Sequence, residues 1–347
     1  MPSLDSSPVV TKPQSRGRGD GFPREFALLL ACCSLDAGES RQAEISRLCE
    51  APLDWLRILE LGEHHGILPL LHQVLRETMA PVPSEVTDEL ASRYEQNVRR
   101  NLRFTAELFR VLDCLESAGI PAIPHKGPAL AQMVYGDLAL RDFSDLDVLV
   151  AREDVLRAKQ ALRGLGYAPA SQFSAHEEHA YLETGYEYTF DGPAGANLLE
   201  IQWGIVPRIY AVDFPMPELF KRAVPIELAG RNVKTLSAED LLLTLCVHAA
   251  KHAWIRLCWL RDLAGVASTQ VIDWEVAARR AGDLGIRRIV NVSLALGQRL
   301  LGSETARPRQ CSRLSPQARE SRACVRRSSP TSRRLENSAL NPWNTSD

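Results

Sequence analysis

Residues 125–150 read "HKGPALAQMVYGDLALRDFSDLDVLV". A Lys126-Gly127-Pro128 corner precedes a short helical pattern, "PALAQMVYG", with proline near the first helical position, where its missing N–H costs nothing. "SDLDVLVA" then reads as a strand. Strand side chains alternate faces, so Asp145 and Asp147 share one face while Leu146, Val148 and Val150 point into the core. Two carboxylates at that spacing repel each other unless a cation lies between them, and neutralising Asp147 is expected to relieve that repulsion. Magnesium suits such a pair, because it takes one or two protein carboxylates and completes its shell with water and substrate phosphates. The same residues also read as a solvated strand entrance whose acidic side chains simply end the pairing.

Working outward, Lys126-Gly127 ahead of a helix is a ready anion site, and Lys126, expected as an exposed side chain at the helix mouth, adds a point charge for a phosphate. Downstream, "LLEIQWGI" sets Glu200 and Gln202 on one strand face, opposite Leu199, Ile201 and Trp203, so Glu200 supplies a third carboxylate on a neighbouring strand. An anion cradle, paired aspartates and a third carboxylate are what metal-assisted phosphoryl or nucleotidyl transfer needs. Arg141, four residues before Asp145, reads either as a triphosphate contact or as a surface loop arginine. His125, alone beside the corner, reads as structural.

The helix "CVHAAKHAWIRLCWLRD" sets His248 and His252 one turn apart with Lys251 beside them. A zinc reading lacks both the intervening glutamate and a third ligand. The pattern instead suggests a helix face overlooking the cleft, where Lys251 or a histidine meets phosphate or acceptor. Trp254, Leu257 and Trp259 read as core, and Asp262 as a partner of Arg256 or a helix cap.

Around this centre the apolar spacing is helical from Phe22 to Ala118, including a segment from about Glu89 to Ser117 that presents Leu102, Leu108, Phe109, Leu112 and Leu115 on one side. Gly119 is placed to end it as a left-handed cap. "REDVLRAKQALRGLGY" is an amphipathic helix, and "GYEYTFDGPAGANLLEIQWGI" reads as two strands joined by a Gly/Pro/Asn loop. After Pro217 the pattern is helical again, with Ser237 as a cap and Asp240 three residues on. Residues 1–20 are rich in Pro, Ser, Arg and Gly, and residues 303–347 carry nine arginines, no lysine and no hydrophobic period; both are expected to be disordered. The abrupt onset of the Arg/Ser-rich tail is also what a reading-frame slip would produce.

The chain has 347 residues, a formal net charge of -2, 45% hydrophobic and 24% charged residues, so its composition gives no global electrostatic case for a nucleic-acid or membrane partner. None of the eight cysteines forms a C-x-x-C pair, which favours reduced thiols in a cytoplasmic protein.

Residues from about 20 to 300 resemble the family of uncharacterised nucleotidyltransferases within the DNA-polymerase-β-like superfamily, through "HKGPALAQMVYGDLALRDFSDLDVLV", "LLEIQW" and "VHAAKHAWIRLCWLRDLA". "EHHG" at 63–66 matches a helix-end pattern of the same family. The resemblance implies an α+β fold: a small mixed sheet nucleotidyltransferase core at 119–205 between helical segments at 21–118 and 206–302. It also implies two Mg2+ ions held by an Asp-x-Asp pair and a later strand carboxylate, here Asp145, Asp147 and Glu200. The Gly-Ser or Gly-Gly corner of the wider superfamily is Lys-Gly here, without the serine hydroxyl that usually touches a phosphate, and Gln202 stands where the branch often has histidine.

The expected reaction moves a nucleoside monophosphate from a nucleoside triphosphate to an acceptor and releases pyrophosphate. Asp145 and Asp147 are then the metal bridge, and Glu200 binds one ion and activates the nucleophile. Lys126, Gly127, Arg141 and Lys251 contact the nucleotide. A protein or small molecule is favoured as acceptor over nucleic acid. The alternative is a degenerate member of the fold that binds nucleotide or a partner without turnover, and a weaker one is RNA binding through the Arg-rich tail.

Overall fold

Apolar residues recur every three or four positions toward both ends of the described residues, 21–36, 38–192 and 198–302, and the computed structural model turns both regions into helices packed on one core. The first group is α1 (Arg24–Cys33), α2 (Glu39–Cys49), α3 (Trp55–His64) and α4 (Leu68–Glu77). The last is α10 (Ala238–Lys251), α11 (Leu257–Thr269), α12 (Trp274–Asp283) and α13 (Arg287–Leu301), preceded by a short α9 (Met216–Lys221). Leu28, Leu29 and Leu71 from the first group share that core with Leu242, Leu263 and Leu294 from the last. The two groups are also tied by backbone, since Leu35 N–H donates to Leu301 O at 3.1 Å. The expected residues 1–20 and 303–347 lie outside the described residues.

A second core lies under the sheet. Its strands are β1 (Ala122–Pro124), β2 (Asp145–Val150), β3 (Ala168–Pro169), β4 (Glu187–Asp191) and β5 (Leu198–Gln202), in the order β1-β2-β5-β4-β3. Only β2 and β5 run parallel; the other neighbours are antiparallel, so the sheet is mixed. The α+β architecture expected from the resemblance is therefore present. Covering the sheet are α5 (Ser84–Ser117) and α7 (Val155–Gly164), and α8 (Ala175–Thr184) is capped by a Ser174–Glu177 box.

One short helix joins the two cores. α6 (Gly127–Tyr135) gives Leu130 and Val134 to the helical core and Ala131 to the sheet core. It packs so closely on α11 that a Cβ on Gly265 would stand 2.3 Å from Val134 Cγ1. Gly265 thus sets how α6, and the corner at its start, meets the helical core.

Two local features here differ from the sequence reading. The segment after Pro217 holds a hairpin, β6 (Val224–Leu228) with β7 (Arg231–Thr235), before the helices resume. Its turn is Ala229-Gly230, both at positive φ (47° and 79°), so a two-residue turn forms without the Asn-Gly signature. Leu102 faces outward, 56% exposed, because the inner stripe of α5 runs through Asn97, Asn101, Phe104, Leu108, Val111 and Leu115.

Those two asparagines are buried for a reason. Asn97 Nδ2 donates to Ala139 O at 2.7 Å, and Asn101 Nδ2 donates to Leu138 O at 2.6 Å and Arg141 O at 2.8 Å. They satisfy the carbonyls of the irregular segment that leads into β2, which has no strand partner of its own. Asn101→Ala is expected to cost about 2–3 kcal/mol, since it strands two carbonyls. Denaturant unfolding of the variant beside Leu102→Ala, expected within about 0.5 kcal/mol of wild type, checks it.

Candidate functional site

The site grows from the corner between β1 and α6. His125 N–H donates to Asp147 O at 3.4 Å and ends the strand pairing; Lys126 is extended, and Gly127 turns into the helix at φ 51°. A Cβ at Gly127 would sit 3.3 Å from Asp145 O, so both conformation and close approach call for glycine. No side chain caps α6, so its first N–H groups and the positive end of its dipole stay available to an anion.

Parallel pairing of β2 and β5 puts Asp147 directly opposite Glu200, and Asp145 lies on the same face. Antiparallel pairing of β4 and β5 puts Glu187 opposite Gln202. Four carboxylates therefore crowd one end of the sheet. Gln202 lies among them: its Nε2 donates to Asp147 Oδ1 (2.9 Å), Glu200 Oε2 (2.8 Å) and, more weakly, Glu187 Oε2 (3.3 Å). Its Oε1 then accepts from His125 Nε2 at 2.9 Å, which fixes that imidazole as the Nε2–H tautomer. Two acceptors are left buried without a hydrogen-bond partner among the described residues, His125 Nδ1 and Asp147 Oδ2.

Lys126 is not the exposed lysine expected from the sequence. Its side chain is 16% exposed and its Nζ lies 2.7 Å from Asp147 Oδ1. Burial alone would raise Asp147, but the Lys126 ammonium, His125 and the Lys126 hydrogen bond outweigh it, so the carboxyl is held well below the usual range. The repulsion collects on the neighbours instead. Burial first, then the charges of Asp147 and Glu187, push Glu200 up to about 8, and burial with the Asp147 charge pushes Asp145 up as well. Neutralising Asp147 would therefore not relieve the site as expected; it would strip Lys126 of its partner. Glu200 is where relief lies.

The helical side brings cations and rings. Lys251 Nζ is 3.3 Å from Tyr186 Oη and 5.4 Å from the ring centroid. His248, His252 and Trp259 form one cluster with centroids 4.9 to 5.3 Å apart. Burial first, then the Lys126 charge, push His248 down to about 2, so it is a neutral ring facing the corner. Arg141 is turned to α11: its Nε donates to both oxygens of fully buried Asp262 (3.2 and 3.0 Å), and Tyr135 Oη adds a bond at 2.9 Å. Asp262 thus pairs with Arg141 rather than with Arg256, and the Arg141 charge still favours the ionised form of Asp145.

Asp145, Asp147, Glu200, Lys126 and Gly127 come together at one point. Lys251 stands at their edge with its Nζ on Tyr186 Oη, a phenol pushed up by burial first and then by neighbouring Glu187. The sequence reading missed Tyr186, Glu187 and the bridging amide of Gln202. The period-2 pattern of β4 carried the only available signal for Glu187.

The family of uncharacterised nucleotidyltransferases matches residues 51–302. The chain belongs to that family. Membership places it among transferases of phosphorus-containing groups, with a nucleoside triphosphate as the donor class. No curated protein matches it in sequence. Solved structures similar to it include the antibiotic-resistance factor ANT(2'')-Ia in solution, at 14% identity over 56% of this chain and 91% of that one, with a TM-score of 0.35. The same factor in complex with adenylyl-2''-tobramycin gives 12% identity, 56% and 98% coverage and a TM-score of 0.35. An antigenic nucleotidyltransferase-like protein from Paracoccidioides brasiliensis gives 15%, 55%, 92% and 0.30. Among the described residues no helix is long and apolar enough to cross a membrane.

A carboxyl that titrates near 8 in the fold against 4.5 in the unfolded chain binds an extra proton when folded. Its stabilising contribution is complete below 4.5 and is lost as pH rises through 8. In chelator, the thermal midpoint is expected to fall across that window, and Glu200→Gln is expected to flatten the decline and raise the midpoint at its alkaline end. Parallel curves for the two proteins would place the crowded carboxylate elsewhere.

Proposed function

We propose that the chain moves a nucleoside monophosphate from a nucleoside triphosphate to an acceptor nucleophile, releasing pyrophosphate, with Mg2+ at Asp145, Asp147 and Glu200. The observation that carries this reading is the buried Asp147 carboxylate, with one oxygen unpartnered, beside Glu200 pushed up to about 8. Of the four carboxylates only Asp147 has an ammonium within ion-pair distance among the described residues, Lys126 at 2.7 Å. Hard oxygen donors with an excess of negative charge fit magnesium, which needs only one or two protein carboxylates and takes its remaining ligands from water and phosphate. Among the described residues the three carboxylates are not drawn together into a closed ligand cage.

When bound, the cation stabilises the charge that develops on the transferring phosphoryl group. The protein's own groups do the rest. The first turn of α6, opened by Gly127, offers backbone N–H donors to phosphate oxygens, and Lys126 supplies a fixed positive charge beside them. Lys251 faces the same site from the helical side. Arg141, with its Nε held by Asp262, has its terminal amino groups left for phosphate and keeps the approach to β2 in place. Glu200, ionised in the loaded site, takes the proton of the acceptor as it attacks.

Asp147→Asn separates the roles. Without metal the variant is expected to lose about 2 kcal/mol, because Lys126 and Gln202 lose a charged acceptor. Wild type should gain about 2.7 kcal/mol from magnesium plus triphosphate at ~100 times Kd, a gain the variant should lack. Pyrophosphate release should fall by several orders of magnitude. Thermal shift and pyrophosphate assays on both proteins check this, and equal responses to magnesium plus triphosphate would rule the site out.

A further inference from the structure

Gln202 is buried, and its amide meets more acceptors than it has hydrogens. Nε2 carries two N–H groups, and its two short contacts run to Glu200 Oε2 at 2.8 Å and Asp147 Oδ1 at 2.9 Å; Glu187 Oε2, at 3.3 Å, is the weak third. The other end of the amide is held as well. Buried His125 meets Gln202 Oε1 through its Nε2 at 2.9 Å, while its backbone N–H is bonded to Asp147 O. Turned end for end, the amide would point its oxygen at ionised Asp147, which has no hydrogen to give. Chemistry therefore decides which end faces the carboxylates, and His125 as the Nε2–H tautomer locks that choice.

The bonds are also selective by oxygen. On Asp147 the amide joins Lys126 Nζ at Oδ1, and Oδ2 is left buried with no hydrogen-bond partner among the described residues. On Glu200 it takes Oε2. Parallel pairing sets those two residues directly opposite each other, so the amide ties one oxygen on each of two facing carboxylates. A cation taking the other oxygens need not displace it.

We propose that Gln202 is a positioning residue for the cation site, with His125 as the group that fixes its amide. This rests on the reading of Asp147 and Glu200 as cation ligands given above. The amide holds one oxygen of each carboxylate and so aims the other, and His125 keeps the amide in the one orientation that can do this. Partners that orient metal-binding side chains in this way carry about ten- to a hundredfold in metal affinity.

The test measures cation binding rather than turnover. Mn2+, which takes the same oxygen donors as Mg2+, is titrated alone into the full chain and the free ion is read by electron paramagnetic resonance. Gln202→Met, similar in length but without donors, is expected to bind Mn2+ about ten- to a hundredfold more weakly than wild type. His125→Phe, which keeps a ring but releases the amide, should weaken binding in the same direction and by less. Arg280→Ala breaks a buried ion pair with Asp240 between α12 and α10, and should lose stability while binding Mn2+ as wild type does. Gln202→Met binding as tightly as wild type, or more tightly, overturns the inference, since the amide would then only offset carboxylate charge. If Gln202→Met does not fold, His125→Phe decides, and wild-type affinity there overturns it. A loss in Arg280→Ala equal to that in Gln202→Met overturns it too, because binding would then follow stability. Wild type that binds no Mn2+, or binds it no better than Asp147→Asn, overturns the cation reading of the site together with the inference.

Discussion

Asp147 and Glu200 stand side by side because β2 and β5 pair in parallel with those two residues in register. One step of slippage would send every side chain of one strand to the other face, burying carboxylates and exposing Leu199 and Ile201. The apolar face therefore fixes the acidic one. Leu146, Val148, Leu199 and Ile201 are all essentially fully buried, and hydrophobic burial on that face is what can hold four carboxylates together on the other. Lys126 and Gln202 lower the cost by giving the most deeply buried carboxylate, Asp147, a cation and an amide.

The rest of the architecture brings a second surface to that edge. α6 carries Lys126 at its start and is packed between the two cores, so the corner cannot shift without disturbing both. The buried Arg141–Asp262 pair runs from α11 to the segment entering β2, while Asn97 and Asn101 hold the backbone of the same segment from α5. Breaking one partner of such a buried pair leaves an uncompensated charge, so these contacts resist independent movement of helices and sheet. The turn after α10 is strained as well, with Ala253 and Trp254 both at φ 51°, and Trp254 is pinned by a 2.9 Å bond from its Nε1 to buried Ser293. Strain of that kind persists only where the surroundings over-determine it, and here it follows directly on Lys251 and His252.

What was legible in the sequence follows from this division. Period-2 alternation exposed the shared face of Asp145 and Asp147 and that of Glu200 and Gln202, and Gly127 with Pro128 marked the corner. Each of these is a local pattern. Glu187 and Tyr186 escaped because their meaning depends on which strand β4 pairs with, and Asp262 because its partner lies 121 residues away. Asn97 and Asn101 were hidden for another reason: they occupy helix positions where the periodic signal is apolar, and nothing in a single sequence says that a segment forty residues on needs their amides. The β6–β7 hairpin was missed because its turn lacks the usual glycine-asparagine chemistry.

The site's charge balance also links cation, proton and nucleotide. With Glu200 titrating near 8, it holds a proton at neutral pH in the metal-free fold. On the proposed reading, a cation held by Asp147 and Glu200 would favour the ionised form of Glu200, so its binding would release that proton and strengthen as pH rises. Lys126 would oppose such a cation, since it already sits on one oxygen of Asp147. A triphosphate would answer both charges at once, being attracted to Lys126 and to the cation. Metal and nucleotide are therefore expected to bind more tightly together than the two do separately, each raising the other's affinity by the same factor.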